Sequence, residues 1–519
     1  MSDQPRPPSR LARLRSAPVP TPAILGAVLV LTVFLEDGIS PYGAARSVLI
    51  AALIGAIVWL FLWALLRSPD RAAIAGVFVV LALWNTADWW KYLLAAAVVA
   101  IVPFVFERLA RRPLPWRTLA VASAIFSVAL LITPILTWAG WGGPSLLVAD
   151  LGQGGGLDRL EAAAAPAADG ADGSSPAPDI YLLLLDEHSR QDTLLRDFGG
   201  DDSAFLDGLR QRGFDVSSGS HSNYDSTEWT LASMLQMRYL DDIPSIGPAL
   251  ARGQPIDSVM RELSNDDPVF ATLRSHGYTV VTTTPWFEHT SIRRSDVLVD
   301  AGLLNEFEMQ LLMSTTVGRI VDRVAPASWL GDQFRDSVTS SFAAAERIAA
   351  TPSAAPRFVF VHVPAPHEPY VFGADGSPQP LTLQDMFGPY AGTAEQLAAK
   401  RKAYADETTW VDQQALKTID AILASSKRPT AIVVFGDHGS RLPVLQDYAT
   451  GNLARLSNLF AARTPGKPAL FGDSPTLIDL FPTLLDAYLG TDLPTQPARA
   501  WDYYHSQYQV KVPLPSAAP

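Results

Sequence analysis

Two short acidic clusters and one hydroxyl-bearing segment are the residues of this 519-residue chain whose types and spacing point to chemistry. The first cluster, Asp186-Glu187-His188-Ser189-Arg190, follows the apolar run Ile180–Leu185. A buried strand that ends abruptly in two carboxylates holds them at a sheet edge, where unpaired charge is costly and a hard divalent cation is one remedy. Alone, such an acidic pair also fits an ordinary charged loop. The second cluster, Gly436-Asp437-His438-Gly439-Ser440-Arg441, again follows an apolar run. Asp and His side by side offer one oxygen and one nitrogen ligand, and the flanking glycines let the backbone turn sharply and approach an ion or phosphate. Between them, Ser226 or Thr227 opens a helical stretch, Thr-Glu-Trp-Thr-Leu-Ala-Ser-Met. A hydroxyl there is either a plain N-cap or a nucleophile in the positive end of the helix dipole, where an alkoxide and a phosphoryl group are favoured.

The elements that must position these groups are short. Strands are expected at Ile180–Leu185, Tyr278–Thr283, Arg357–Val363 and Thr430–Phe435, and helices at Thr227–Met237, Ser337–Ala350 and Ala394–Ser425. Alternation of this kind predicts an α/β/α sandwich around a mainly parallel central sheet. Ligands gather at the carboxyl ends of strands in such sheets, and both clusters obey that rule.

Before residue 140 the chain reads differently. Apolar runs at Pro20–Leu35, Ser47–Leu66, Ala72–Trp84, Leu93–Phe106 and Leu119–Trp138 predict a multi-pass α-helical membrane domain of five spans over residues 20–140. Trp89 and Trp90 suit an interfacial belt. The first run is preceded by arginines like a signal peptide, but no small-residue cleavage site follows it and more spans do. Arg6, Arg10, Arg13, Arg15, Arg67, Arg71, Arg108, Arg111, Arg112 and Arg117 occupy one set of loops, and only Arg46 and Lys91 the other. That asymmetry puts residues 1–19 in the cytoplasm and, after five crossings, residues 179–519 outside the cell membrane. A re-entrant hairpin in place of spans three and four would leave the exit side unchanged. Residues 141–178, with the Gly/Ala/Ser/Pro-rich stretch Gly152–Pro178, read as a flexible linker.

Composition removes other classes. The net charge of −12 and the lack of a basic stripe argue against a nucleic-acid partner. With no cysteine, there is no disulfide, no thiolate metal site and no cysteine nucleophile.

The ordered set Leu-Asp-Glu-His-Ser-Arg, Thr-Glu-Trp-Thr-Leu-Ala-Ser-Met, Pro-Ala-Pro-His-Glu-Pro-Tyr, Gly-Asp-His-Gly-Ser-Arg and Ser-Asn-Leu-Phe-Ala-Ala resembles the sulfatase-like branch of the alkaline phosphatase superfamily. Within it, the chain resembles membrane enzymes that include lipoteichoic acid synthases and lipid A phosphoethanolamine transferases. The resemblance implies that Glu187, Thr227, Asp437 and His438 bind a catalytic divalent metal, Zn²⁺ or Mn²⁺, with Thr227 as nucleophile and Asp186 as an added acidic ligand. It implies that His367 contacts the substrate or a second metal. Arg441 and Arg190 are natural partners for a phosphate. Trp286, His289 and Arg293 form a weaker cluster, of which one member is expected to touch substrate, although Trp286 fits core packing equally well. His188, His221, His276, His362 and His505 read as structural or exposed.

The implied reaction moves a phospho-headgroup from a membrane phospholipid donor to an envelope glycan or glycolipid acceptor through a phospho-threonine intermediate. Hydrolysis of a phosphodiester, and an inactive envelope-binding protein of the same fold, stay open. Sulfate-ester hydrolysis ranks well behind phosphotransfer, because sulfatases make formylglycine from Cys or Ser in a Cys/Ser-x-Pro-x-Arg setting that this chain lacks. Phosphoethanolamine transferases usually carry ectodomain disulfides, which this chain cannot form.

Overall fold

Seven strands build one sheet in the order β2-β7-β6-β1-β5-β3-β4. They are β1 (Asp179–Leu185), β2 (Asp215–Val216), β3 (Thr279–Thr283), β4 (Val297–Val299), β5 (Arg357–Val363), β6 (Thr430–Phe435) and β7 (Phe460–Arg463). The computed structural model describes residues 17–37, 41–85, 89–110, 114–143, 145, 156–162, 177–302, 304–324, 328–381, 393–442, 454–502 and 510–512. By internal contacts the chain forms two compact units, one of residues 1–144 with 307–325 and one of residues 145–306 with 326–519.

In the sheet unit, β1 lies between β5 and β6 and is parallel to both, so that Leu184 stands level with His362 and with Phe435. Every residue of β1, β5 and β6 is buried, as a strand covered on both faces requires. On one face Leu182, Leu184, Phe358, Phe360 and Phe435 pack with Leu231, Met234 and Leu235 of the helix Thr227–Gln236 and with Leu480 and Phe481 of the helix Leu480–Leu489. The helix Trp329–Ala350 packs on β5 and against the helix Ala394–Ser425. The result is an α/β/α sandwich with a mixed sheet: β7 runs antiparallel to β6 and β2, while β6, β1, β5, β3 and β4 are mutually parallel.

The helical unit contains α1 (Thr21–Asp37), α2 (Pro41–Leu66), α3 (Pro69–Trp84), α4 (Trp89–Ala110), α5 (Trp116–Ala129) and α6 (Ile132–Gly140). Within it, Gly43–Leu66 and Trp116–Gly140 are long and apolar enough to cross a membrane, and Thr21–Leu35 and Trp89–Ile101 are shorter apolar helices. The helical run Trp116–Gly140, which holds the expected fifth span, is interrupted by a short turn between α5 and α6, where Pro134 has no N–H to donate to the carbonyl four residues back. Leu49, Leu53, Ile57, Leu60 and Phe61 of α2 are all exposed, Phe61 at 68%. A stripe of that size marks a membrane or interaction surface. Glycines let α1 and α2 touch: a Cβ on Gly55 would meet the Pro22 carbonyl oxygen at 2.2 Å.

Two parts of the chain differ from the plan read in the sequence. Residues 307–325 interrupt the expected continuous domain 179–519 and group with the N-terminal helices. Within the stretch read as a linker, Leu157–Ala162 is helical, with Leu160 fully buried and the helix packed against β4. The arginines at 6, 10, 13 and 15, Arg111, Arg112, His505 and most of residues 152–178 lie outside the described residues.

Candidate active site

The parallel order of β6, β1 and β5 carries three sequence segments to one sheet edge. Asp186 and Glu187 leave β1, His367 follows β5, and Asp437 and His438 leave β6. The helix Thr227–Gln236 brings its first residue to the same place. Ser226 occupies the N-cap position without making a side-chain cap bond, and Thr227 stands inside the first turn. Its buried hydroxyl is therefore free of capping duty. Thr227 Oγ1 lies 3.4 Å from Asp186 Oδ1 and 3.4 Å from His438 Nε2.

The groups around that hydroxyl hold more acceptors than donors. His438 Nδ1 lies 2.9 Å from the Gly439 carbonyl oxygen and donates to it, which leaves the Nε2 lone pair facing inward. Asp437 Oδ2 lies 3.3 Å from that nitrogen and is buried without a hydrogen-bond partner among the described residues. The other oxygen of Asp437 accepts from the Glu187 backbone N–H at 3.1 Å. One ligand atom each from Asp186, Asp437 and His438 lie within 4.8 Å of one another. Burial, reinforced by the Asp437 and Glu187 charges, pushes the Asp186 carboxyl up to about 7 against the opposing pull of His367 and His438. A lone pair facing an orphaned carboxylate oxygen is an arrangement that a divalent cation resolves, and the mixed O/N donor set fits one.

Glu187 is handled differently. Its backbone adopts φ +60°, the left-handed region that non-glycine residues seldom occupy, as happens where the surroundings over-determine a functional conformation. Its carboxylate accepts from Arg441 Nε at 2.7 Å, and His367 Nε2 lies 3.6 Å away. Burial alone would raise this carboxyl, but the pull of the neighbouring His367, Arg441 and His438 outweighs it and brings it to about 2. Arg441 also donates to His367 Nε2 at 2.6 Å, so this arginine ties a carboxylate and an imidazole together.

The structure thus assembles Asp186, Glu187, Thr227, His367, Asp437, His438 and Arg441. It does not bring in Arg190, whose guanidinium is engaged by Asp192 and the Ser220 carbonyl. Trp286 is buried edge-on against Phe334, with ring centroids 5.3 Å apart, and Arg293 forms a two-pronged pair with Glu288. His289 reaches the site at second remove: it lies 3.9 Å from Glu228, the neighbour of Thr227, and 3.5 Å from Glu306. Burial opposes its protonation, but Glu306 and Glu228 prevail and lift it to about 9.

Three supporting groups were hidden in the sequence. His362, read as structural or exposed, lies on β5 with Nε2 2.8 Å from Asp186 Oδ2. Tyr404 donates its hydroxyl to the Glu187 carbonyl at 2.8 Å and accepts from the Ser189 N–H at 2.9 Å. Asp412 holds His188 Nε2 at 2.8 Å while His188 Nδ1 faces the Ser189 carbonyl; with acceptors on both nitrogens, His188 is held above its ordinary pKa despite burial. Tyr404, Thr408 and Asp412 recur every fourth residue on the buried face of one helix, a polar stripe that was the available signal. The glycines beside Asp437 and His438 let neighbouring loops approach closely. A Cβ on Gly436 would lie 2.4 Å from the His188 carbonyl oxygen, and one on Gly439 2.3 Å from that of Ala454.

Among solved structures, the C-terminal periplasmic domain of EcEptC from Escherichia coli matches at 15% identity and TM-score 0.43, covering 67% of this chain and 96% of that one. A phosphonate monoester hydrolase, SpPMH from Silicibacter pomeroyi, matches at 20% identity and TM-score 0.41, covering 61% and 74%. The lipoteichoic acid synthase LtaP from Listeria monocytogenes matches at 13% identity and TM-score 0.36, covering 65% and 78%. No curated protein matches the chain. The sulfatase family profile matches residues 178–491, more than half of the sequence, and the chain therefore belongs to the sulfatase family.

Proposed function

We propose that this protein is a multi-pass membrane phosphotransferase, with its N-terminus in the cytoplasm and its catalytic domain outside, that moves a phospho-headgroup from a phospholipid to an envelope glycan or glycolipid. The observation that carries this reading is the Thr227 hydroxyl, buried at a helix N-terminus and 3.4 Å from both Asp186 and His438. Threonine bears a methyl group on its carbinol carbon, so oxidation cannot turn it into the formylglycine aldehyde. Ester transfer through the hydroxyl itself is the chemistry left to it.

Asp186, Asp437 and His438, with Thr227 and with Glu187 as the resemblance implies, would hold Zn²⁺ or Mn²⁺. When bound, the ion supplies Lewis-acid charge that stabilises the threonine alkoxide and the phosphoryl oxygens. The helix N-terminus adds partial positive charge for the same oxygens. Thr227 Oγ bonds to phosphorus as the phosphorus–glycerol oxygen bond breaks, and diacylglycerol leaves with a proton. The acceptor hydroxyl then attacks phosphorus as the Thr227 oxygen–phosphorus bond breaks, and the acceptor's proton passes to the Thr227 oxygen. His367, held by Arg441 and close to Glu187, is suited to contact the phosphate or its headgroup.

The test uses full-length protein in vesicles of phosphatidylethanolamine and phosphatidylglycerol with labelled headgroups. Thr227→Ala is expected to lower lipid turnover by at least about 10³-fold, and mass spectrometry of the wild type is expected to find a headgroup phosphate on Thr227. Turnover that persists in the variant sinks the nucleophile assignment. Free headgroup phosphate released in the presence of acceptor would replace transfer by hydrolysis.

A further inference from the structure

Residues 307–325 leave the sequence of the sheet unit and return to the unit of the N-terminal helices. They do so through two helices, Glu306–Met313 and Thr316–Val324. Phe307 is buried with Phe34, Leu35 and Ala44, and Leu311, Leu131 and Trp138 pack around that cluster. Glu308 pairs with Arg46, whose Nε donates to it at 2.7 Å. Thr316 donates its hydroxyl to the Asn85 carbonyl at 2.7 Å.

These partners share a location along the helices. Phe34 and Leu35 close α1, Ala44 and Arg46 open α2, and Asn85 follows α3. In helices that alternate in direction, those positions are one end of the unit. The opposite ends carry their own polar set: Arg71 pairs with Glu107, Arg117 with Asp70 at 3.3 Å, and Trp116 Nε1 donates to Glu107 at 2.7 Å. The excursion is thus seated at the end that includes the start of α4, where Trp89 and Trp90 are exposed. Exposed tryptophans at a helix end mark the level of the lipid–water interface.

At that level the helix Thr316–Val324 is amphipathic. Val317, Ile320, Val321 and Val324 recur at helical spacing and form one stripe, while Arg319, Asp322 and Arg323 lie on the other side. Ile320 is 52% exposed and Val324 76% exposed, although both belong to the apolar stripe.

We infer that the helix Thr316–Val324 is a membrane-surface element that lies in the headgroup boundary of a phospholipid bilayer, with Ile320 and Val324 among the acyl chains and Arg319 and Arg323 at the phosphates. The inference rests on the proposed membrane reading and adds a second attachment, drawn from within the catalytic sequence, to the one the spans provide. It binds the donor's own medium to the chain that consumes the donor.

The chain has no cysteine, so each single-cysteine variant takes one spin label. Ile320→Cys, Val324→Cys and Asp322→Cys are compared with Phe61→Cys, a reference on the apolar face of α2, in full-length protein in phosphatidylglycerol-containing vesicles. Labels at 320, 324 and 61 are expected to lose broadening by a water-soluble nickel chelate and keep broadening by oxygen, with 322 open to nickel. Equal nickel access at 320, 324 and 322 with 61 protected overturns this inference and leaves the spans standing. Nickel access at 61 as well overturns the membrane reading, and the inference with it.

Discussion

Around Thr227, two groups of charged side chains lie side by side and are compensated in opposite ways. In the outer group carboxylates stand against basic side chains: Arg441 joins Glu187 and His367, Asp412 holds His188, and Glu228 and Glu306 flank His289. In the inner group Asp437 Oδ2 has no hydrogen bond among the described residues and faces His438 Nε2, while Nδ1 of that ring faces the Gly439 carbonyl. Buried charge is tolerated where it is paired, so the inner excess calls for a compensating charge. The contrast favours Asp186, Asp437 and His438 for the proposed cation, because the Glu187 carboxylate is already paired with Arg441.

The strongest way to break the comparison is to remove the inner excess. Asp437→Asn keeps the shape and deletes the orphaned charge. Divalent metal affinity is expected to fall by more than about 100-fold, since even partners behind a ligand are worth roughly 10- to 100-fold. Metal content after dialysis and chelator competition reads this directly. Unchanged occupancy would move the metal elsewhere. A weaker intervention acts through His362, a positioning residue that holds Asp186 Oδ2 at 2.8 Å while Oδ1 faces Thr227. His362→Phe is expected to weaken metal binding by about 10- to 100-fold and to shift the visible spectrum of the cobalt-substituted protein. A variant with wild-type affinity and spectrum would reduce His362 to a packing residue.

The two groups also differ in how far they could be read from the sequence. Asp186, Asp437 and His438 were legible because each sits where an apolar run stops, and those runs are sharply bounded. Pro356 and Pro364 flank β5, and Pro429 and Gly436 flank β6, so both strands span the expected residues. The helix Ala394–Ser425 likewise keeps its expected bounds, fixed at its start by a Thr393–Gln396 capping box. The compensating groups were not legible, since their partners are distant in sequence: Tyr404 and Asp412 meet the Glu187 loop more than 200 positions away. Arg190 shows the converse. Asp192, two positions on, takes its guanidinium, a local competitor that a phosphate-centred reading passes over. The helix Trp329–Ala350 starts about two turns before its expected first residue because Arg335 ties the Asp332 side chain and the Ser328 carbonyl together. The return of residues 307–325 was hidden for the same reason as Tyr404, as the Arg46–Glu308 pair spans 262 positions.

The smallest expected effect tests whether the outer group is as self-contained as the geometry indicates. His289 between Glu228 and Glu306 has its pKa raised from 6.5 to about 9. A histidine that binds its proton more tightly when folded stabilises the fold fully below pH 6.5, and that contribution disappears as pH rises through about 9. Its side chain is 36% exposed, so solvent screening reduces the contribution to about 1 kcal/mol. Thermal unfolding of the metal-loaded full chain and of His289→Gln, followed from about pH 6 to about pH 10, is expected to show a stability gap that closes as the histidine loses its charge. A gap constant across that range would mean that His289 is neutral and packs without pairing. Glu228 and Glu306 would then both stand without a compensating charge close to Thr227, and an unpaired carboxylate would no longer set the inner group apart from the outer.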